Sequence, residues 1–130
     1  MINVAVFYGG KSPEHDISVI TALQALNNLN KRKYNIIPVY IDENNKWQVV
    51  KDAHKISSYC KKIEKHDLFC GFFDNFLYKK TKFGLKKFSS VDVCLNCCHG
   101  GDGESGALSG VFQMANLPYC CCNNLSSAIC

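Results

Sequence analysis

Three titratable side chains, His99, Asp102 and Glu104, fall close together among the glycines Gly100, Gly101, Gly103 and Gly106. An imidazole can hold or move a proton near neutral pH, and a carboxylate can pair with an ammonium group or a cation. The glycines allow the backbone to turn tightly and to approach a ligand without Cβ clashes. A second group with chemical potential follows Gly9 and Gly10, where Lys11, Ser12, Pro13, Glu14 and His15 are consecutive. Taken singly, each set also fits a plainer role, since acids at a helix start complement the helix dipole.

Several familiar patterns are touched without being met. Gly101-x-Gly103-x-x-Gly106 satisfies the dinucleotide fingerprint, but two carboxylates inside the loop repel a pyrophosphate. No Asp or Glu follows Glu104 to take a ribose hydroxyl. Gly10-Lys11-Ser12 copies the end of a phosphate-binding loop, yet Ala5 stands where its first glycine belongs. Cys94-x-x-Cys97 resembles half a zinc site, but strand residues three apart point to opposite faces. Cys120, Cys121 and Cys122 meet the same difficulty, and with Cys94, Cys97 and Cys98 they are expected to be reduced core thiols.

Positioning these groups requires strands that end at each loop. Val4 to Tyr8 is a short unbroken apolar run stopped by glycines, as in a parallel strand buried on both faces. Ser12 is expected to cap a helix with Pro13 at its first position, and Val19, Ala22, Leu23, Leu26 and Leu29 give it one apolar face. His15 is expected at the surface. Tyr34 to Ile41 reads as a strand, Asp42 to Asn45 as a turn and Trp47 to Val50 as a short strand behind it. Val91 to Leu95 is a further strand, leading through the glycine loop to a helical stripe of Ala107, Leu108, Val111, Phe112 and Ala115. Leu117 to Cys122 is a last strand, and a helix starts at Asn123 and Asn124.

Strands alternating with helical patterns predict an α/β domain with a mainly parallel sheet and helices on both faces. Right-handed crossovers then place the loop after Tyr8 beside the loop after Cys98, rimming one cleft. Lys51 to Ser90 is the least readable stretch, expected to hold a helix and a small hairpin. Its interleaved lysines and aromatics also fit single-stranded nucleic acid, but no recognised motif accompanies them.

At 130 residues the chain is a single domain by length. Fifteen basic against eleven acidic residues give +4, too mild an excess to demand a nucleic-acid or membrane partner. There is neither an apolar run of membrane-spanning length nor a secretory leader pattern, so a cytoplasmic protein is expected.

Together the two loops resemble the N-terminal domain of the D-alanine-D-alanine ligases. The residues that carry the resemblance are Val4 through Ser18, Tyr34 through Asp42, Val91 through Val93, His99-Gly100, Gly103-Glu104, Leu117-Pro118-Tyr119 and Ser126-Ser127-Ala128. The resemblance implies a Rossmann-like domain over residues 1–130, preceding central and C-terminal ATP-grasp domains absent from this chain. It implies an enzyme that joins two D-alanines for peptidoglycan precursors: ATP, with magnesium, phosphorylates the first carboxylate and the second amine attacks the acyl phosphate. It further implies that Glu14 binds the ammonium of the first D-alanine and that His99, with Gly100, lies by its carboxylate.

ATP and magnesium belong to the other domains of such an enzyme, so this chain holds no cofactor or metal and is expected to be inactive alone. Its implied partners are D-alanine, those ATP-grasp domains and a homodimer as one arrangement. The family's Gly-Glu-Asp-Gly is Gly103-Glu104-Ser105-Gly106 here, and its glutamine before the next helical glycine is Ser109. D-lactate and D-serine stay open as second substrates. The rival class is a free-standing binding or interaction module.

Overall fold

A computed structural model describes residues 1–60 and 69–129. Its centre is β1 (Ile2–Gly9), which runs parallel to β2 (Tyr34–Ile41) on one side and to β7 (Val93–Asn96) on the other. β8 (Tyr119–Cys120) adds in parallel beyond β7, and β3 (Trp47–Gln48) pairs antiparallel with β2 at the other edge. The resulting order is β3-β2-β1-β7-β8.

The unbroken apolar run of β1 follows from this central place, because alternate side chains serve two separate cores. Val4, Val6 and Tyr8 pack with Val19, Ala22 and Leu26 of α1 (His15–Asn28). Ala5 and Phe7 face the opposite way, toward Leu108 and Phe112 of α3 (Ala107–Met114), which follows the single-turn α2 (Gly101–Glu104). Phe7 is fully buried, its ring centroid 4.8 Å from that of Phe112 and 5.0 Å from that of Trp47. Truncating such a residue to alanine costs about 3–5 kcal/mol.

The second face is not covered by helix alone. β4 (Phe69–Phe73), β5 (Phe76–Thr81) and β6 (Gly84–Ser90) form an antiparallel sheet, and its Leu77 and Phe72 close over Phe7 and Phe112. The stretch expected to hold a helix and a small hairpin therefore supplies a three-stranded layer. Its only helical piece among the described residues is a single 3-10 turn at Ile56–Ser58. Part of that expectation, residues 61–68, lies outside the described residues.

Other differences are local. The first helix begins at His15 instead of just after Ser12, because Ser12 is spent on a turn: its hydroxyl accepts from the Glu14 N–H at 3.1 Å and its carbonyl from the His15 N–H. The last strand stops at Cys120, and Cys120, Cys121 and Cys122 are exposed, so they are not core thiols; β8 is an edge strand of two residues with no neighbour beyond it among the described residues. Cys94, Cys97 and Cys98 are buried as expected, with Cys94 and Cys97 in different cores. Val111 is 42 % exposed, so the buried stripe of α3 narrows to Leu108 and Phe112. α4 (Asn124–Ile129) follows, with the Asn123 side chain accepting from the Ser126 N–H.

Candidate functional site

The two glycine loops meet at the carboxyl ends of β1 and β7, where open α/β sheets place their ligands. One side chain joins them. Ser18, fully buried on α1, accepts the Gly9 N–H at 2.7 Å and donates to the Cys97 carbonyl at 2.9 Å. A single hydroxyl thus satisfies two buried backbone groups that the end of strand pairing leaves over.

Beyond Ser18 the loops approach to contact. Gly100 has φ +65°, and a Cβ there would stand 2.7 Å from Ser12 Oγ and 3.1 Å from Glu14 Oε2. Only glycine allows this approach. It sets the Glu14 carboxylate against the backbone of the residue that follows His99. That carboxylate is exposed and has no hydrogen-bond or ion-pair partner among the described residues.

His99 is half-buried and lies in the wall of a cleft of about 930 Å³, shared with Thr21, Asn96, Glu104, Cys121 and Ser126. Its Nε2 is 2.9 Å from the Thr21 hydroxyl. Asn96 braces the loop, donating to the Gly103 carbonyl at 2.8 Å and accepting from the Cys98 N–H at 3.0 Å. Asp102 accepts from the Asn45 side chain at 3.2 Å, which links the loop to the β2–β3 turn. Glu14 is not in the wall of the His99 cleft. The structure brings Glu14 to Gly100, and His99 to Thr21.

His15, expected at the surface, is instead a latch. Its Nδ1 donates to the Gly10 carbonyl at 2.7 Å, and its Nε2 lies 2.9 Å from the Tyr40 hydroxyl. Burial, the leading cause, pushes the Tyr40 phenol up to about 12, which keeps its proton available.

The buried thiols are unsuited to chemistry. Burial pushes Cys94 and Cys98 up to about 12 and Cys97 up to about 11, so all three are protonated at neutral pH. Among the described residues no three His, Cys, Asp or Glu side chains are grouped to hold a metal ion.

Sequence reasoning passed over Ser18 and Thr21. The signal was present, because Glu14, Ser18 and Thr21 recur at intervals of four and three, a polar stripe beside the apolar one.

Comparison with known proteins shows the family to which the chain belongs. A D-alanine–D-alanine ligase from Thermosipho melanesiensis is 37% identical over 141 residues, covering 98% of this chain and 36% of that protein. The chain thus spans little more than a third of that curated relative's length. The solved structure of the D-alanine-D-alanine ligase from Coxiella burnetii superposes with a TM-score of 0.83 at 29% identity, over all of this chain and 38% of that one. The VanG D-Ala:D-Ser ligase from Enterococcus faecalis gives a TM-score of 0.82 at 26% identity, over 99% of this chain and 38% of that one. A family model described as the D-ala D-ala ligase N-terminus matches residues 3–122, and the chain belongs to that family.

Proposed function

We propose that this chain is the Rossmann-like, substrate-binding N-terminal domain of an ATP-dependent ligase that joins two D-alanines through an acyl phosphate for peptidoglycan precursors. The observation that carries the reading is the approach at Gly100, which sets an unpartnered carboxylate, Glu14, beside the His99 loop. A D-amino acid presents an ammonium and a carboxylate on one carbon. Glu14 pairs with the ammonium, and His99, its ring held by Thr21, lies by the carboxylate with the backbone of Gly100. A histidine placed there can stabilise negative charge that develops as the carboxylate is activated.

ATP supplies the phosphoryl group for that activation. ATP and magnesium are assigned to the central and C-terminal ATP-grasp domains, in keeping with a chain that spans 36% of its relative's length. The chain alone is expected to be inactive. A cytoplasmic location and a homodimer fit the same reading. D-alanine, D-lactate or D-serine as second substrate is chosen by residues beyond this chain.

The test is phosphate release from ATP by the ligase completed with its remaining domains. Release should require D-alanine and should not respond to L-alanine. A complete protein that hydrolyses no ATP in the presence of D-alanine, or responds equally to both enantiomers, overturns the proposal.

A further inference from the structure

Leu77 anchors the second sheet to the core, but the distal half of its hairpin stands clear of it. From Lys80 to Phe88 every residue except Thr81 is exposed. Phe83, at the turn between β5 and β6, is 100% exposed, and Leu85 is 65% exposed. An ordered two-stranded arm that buries little apolar surface is marginal by itself, and large apolar side chains at its tip gain nothing from folding.

The charge is concentrated in the same place. Residues 69–90 carry five lysines against one aspartate, an excess equal to the net +4 of the whole chain, so the rest of the sequence is balanced. Lys87 lies 3.6 Å above the Phe76 ring and Lys79 5.7 Å above that of Phe88, while Lys80, Lys82 and Lys86 extend around the tip and are exposed. The sequence shows the mild basic excess to lie between Lys51 and Lys87, but not that its lysines ring an exposed hairpin tip, so it does not by itself demand a membrane partner.

We propose that the tip of the β5–β6 hairpin is a docking surface for an anionic lipid bilayer. Phe83 and Leu85 enter the interfacial region, and Lys80, Lys82 and Lys86 face acidic headgroups. The attachment is peripheral, since no helix among the described residues is long and apolar enough to cross a membrane. Basic residues near an acidic leaflet are drawn to it, and an apolar contact between them fixes the depth. The alternative polyanion, single-stranded nucleic acid, is disfavoured by two features. The sheet contains no arginine, the side chain best suited to bidentate phosphate contacts and to stacking. The second apolar group at the tip is a leucine, which has no face on which a base can stack. The proposal does not depend on the ligase reading.

The test is sedimentation of the chain with phosphatidylcholine vesicles, with and without phosphatidylserine. Binding should be at least roughly tenfold stronger to the phosphatidylserine vesicles and should fall at high salt. Phe83→Ser, and separately the pair Lys80→Gln and Lys82→Gln, should weaken it. The pair Lys31→Gln and Lys33→Gln, an equal charge loss at exposed positions elsewhere, should not. Phe83→Trp should keep binding and shift its emission to the blue on phosphatidylserine vesicles, above the Trp47 background. Failure to bind these vesicles, or equal sensitivity to the Lys31 and Lys33 pair, overturns the proposal. So does retention of a single-stranded oligonucleotide through Phe83 and Lys82 without vesicle binding.

Discussion

The Thr21 hydroxyl lies 2.9 Å from Nε2 of His99, although the two residues belong to different elements and stand 78 positions apart. This contact occupies one ring nitrogen and fixes the plane of the imidazole, leaving Nδ1 without a protein partner among the described residues. Thr21 is thus a positioning residue for His99. In the complete ligase, Thr21→Val should lower turnover by about two- to tenfold, the effect of one ordinary hydrogen bond of about 0.5–1.5 kcal/mol. Thr21→Ser should restore most of it. A purely structural role would instead lower the melting temperature of both variants in proportion to the isostere's fit, and the pH profile of turnover would not move.

Glu14 is the position where charge should matter to binding and little to stability. Its backbone carbonyl accepts the Ser18 N–H, but its carboxylate is exposed and unpaired. Glu14→Gln should therefore raise KM for the first D-alanine by roughly one to two orders of magnitude, the loss of a charge-assisted hydrogen bond of about 1.5–3 kcal/mol. Its melting temperature should stay near that of the parent. A variant with unchanged kinetics would reduce Glu14 to a residue at a helix start.

The parts of this fold that were legible in the sequence are those in which one residue pattern has one physical solution. Val4 to Tyr8, a short apolar run stopped by glycines, reads as a strand covered on both faces, and Gly9 marks where it ends. Of the second sheet only a small hairpin was legible, borne out by β5 and β6, because Phe72 and Leu77 reveal no period until the face of Phe7 that they cover is known. His15 was misplaced for a related reason. Its partners, the Gly10 carbonyl and the Tyr40 hydroxyl, come from other elements, and nothing local distinguishes a latched histidine from a solvated one. At the site, residue types and spacing left Glu14 and His99 open to plainer roles, and only the family resemblance singled them out. The residues that orient them required the packing of α1 against two strand ends.

Alkaline stability follows from the buried thiols and phenols. Cys94 and Cys98 are pushed up to about 12 and Cys97 to about 11 from an ordinary 9.0, and Tyr40 and Tyr59 to about 12 from 10.0, all chiefly by burial. In each case the folded chain holds its proton more tightly than the unfolded chain. Below pH about 9 both states are protonated and the stability is fully present. As pH rises through 9 to 12 the unfolded state loses protons first, and stability falls by at most about 1.4 kcal/mol per pH unit for each such group. Urea midpoints should thus be flat from pH 7 to 8.5 and fall increasingly above 9. Cys94→Ala should be less stable at neutral pH yet lose stability less steeply above pH 9. A parallel slope in that variant would show that Cys94 does not contribute to the alkaline limb.

Gly100 ties the geometry to the chemistry. Its φ of +65° is unfavourable for a residue with a side chain, and a methyl group there would come within 2.7 Å of Ser12 Oγ and 3.1 Å of Glu14 Oε2. Gly100→Ala should therefore cost about 1–3 kcal/mol in stability, the range for a strained backbone position. The methyl should also push Glu14 away from the His99 loop, so KM for the first D-alanine should rise as it does in Glu14→Gln. The two effects separate in the double variant. If Gly100 acts on binding by seating Glu14, the KM penalties of Gly100→Ala and Glu14→Gln should overlap, with a coupling well outside the additivity expected of independent sites. The stability penalty of Gly100→Ala should persist in the double variant because it arises from the backbone. Fully additive KM effects would show that the loops touch at Gly100 without Glu14 depending on that contact.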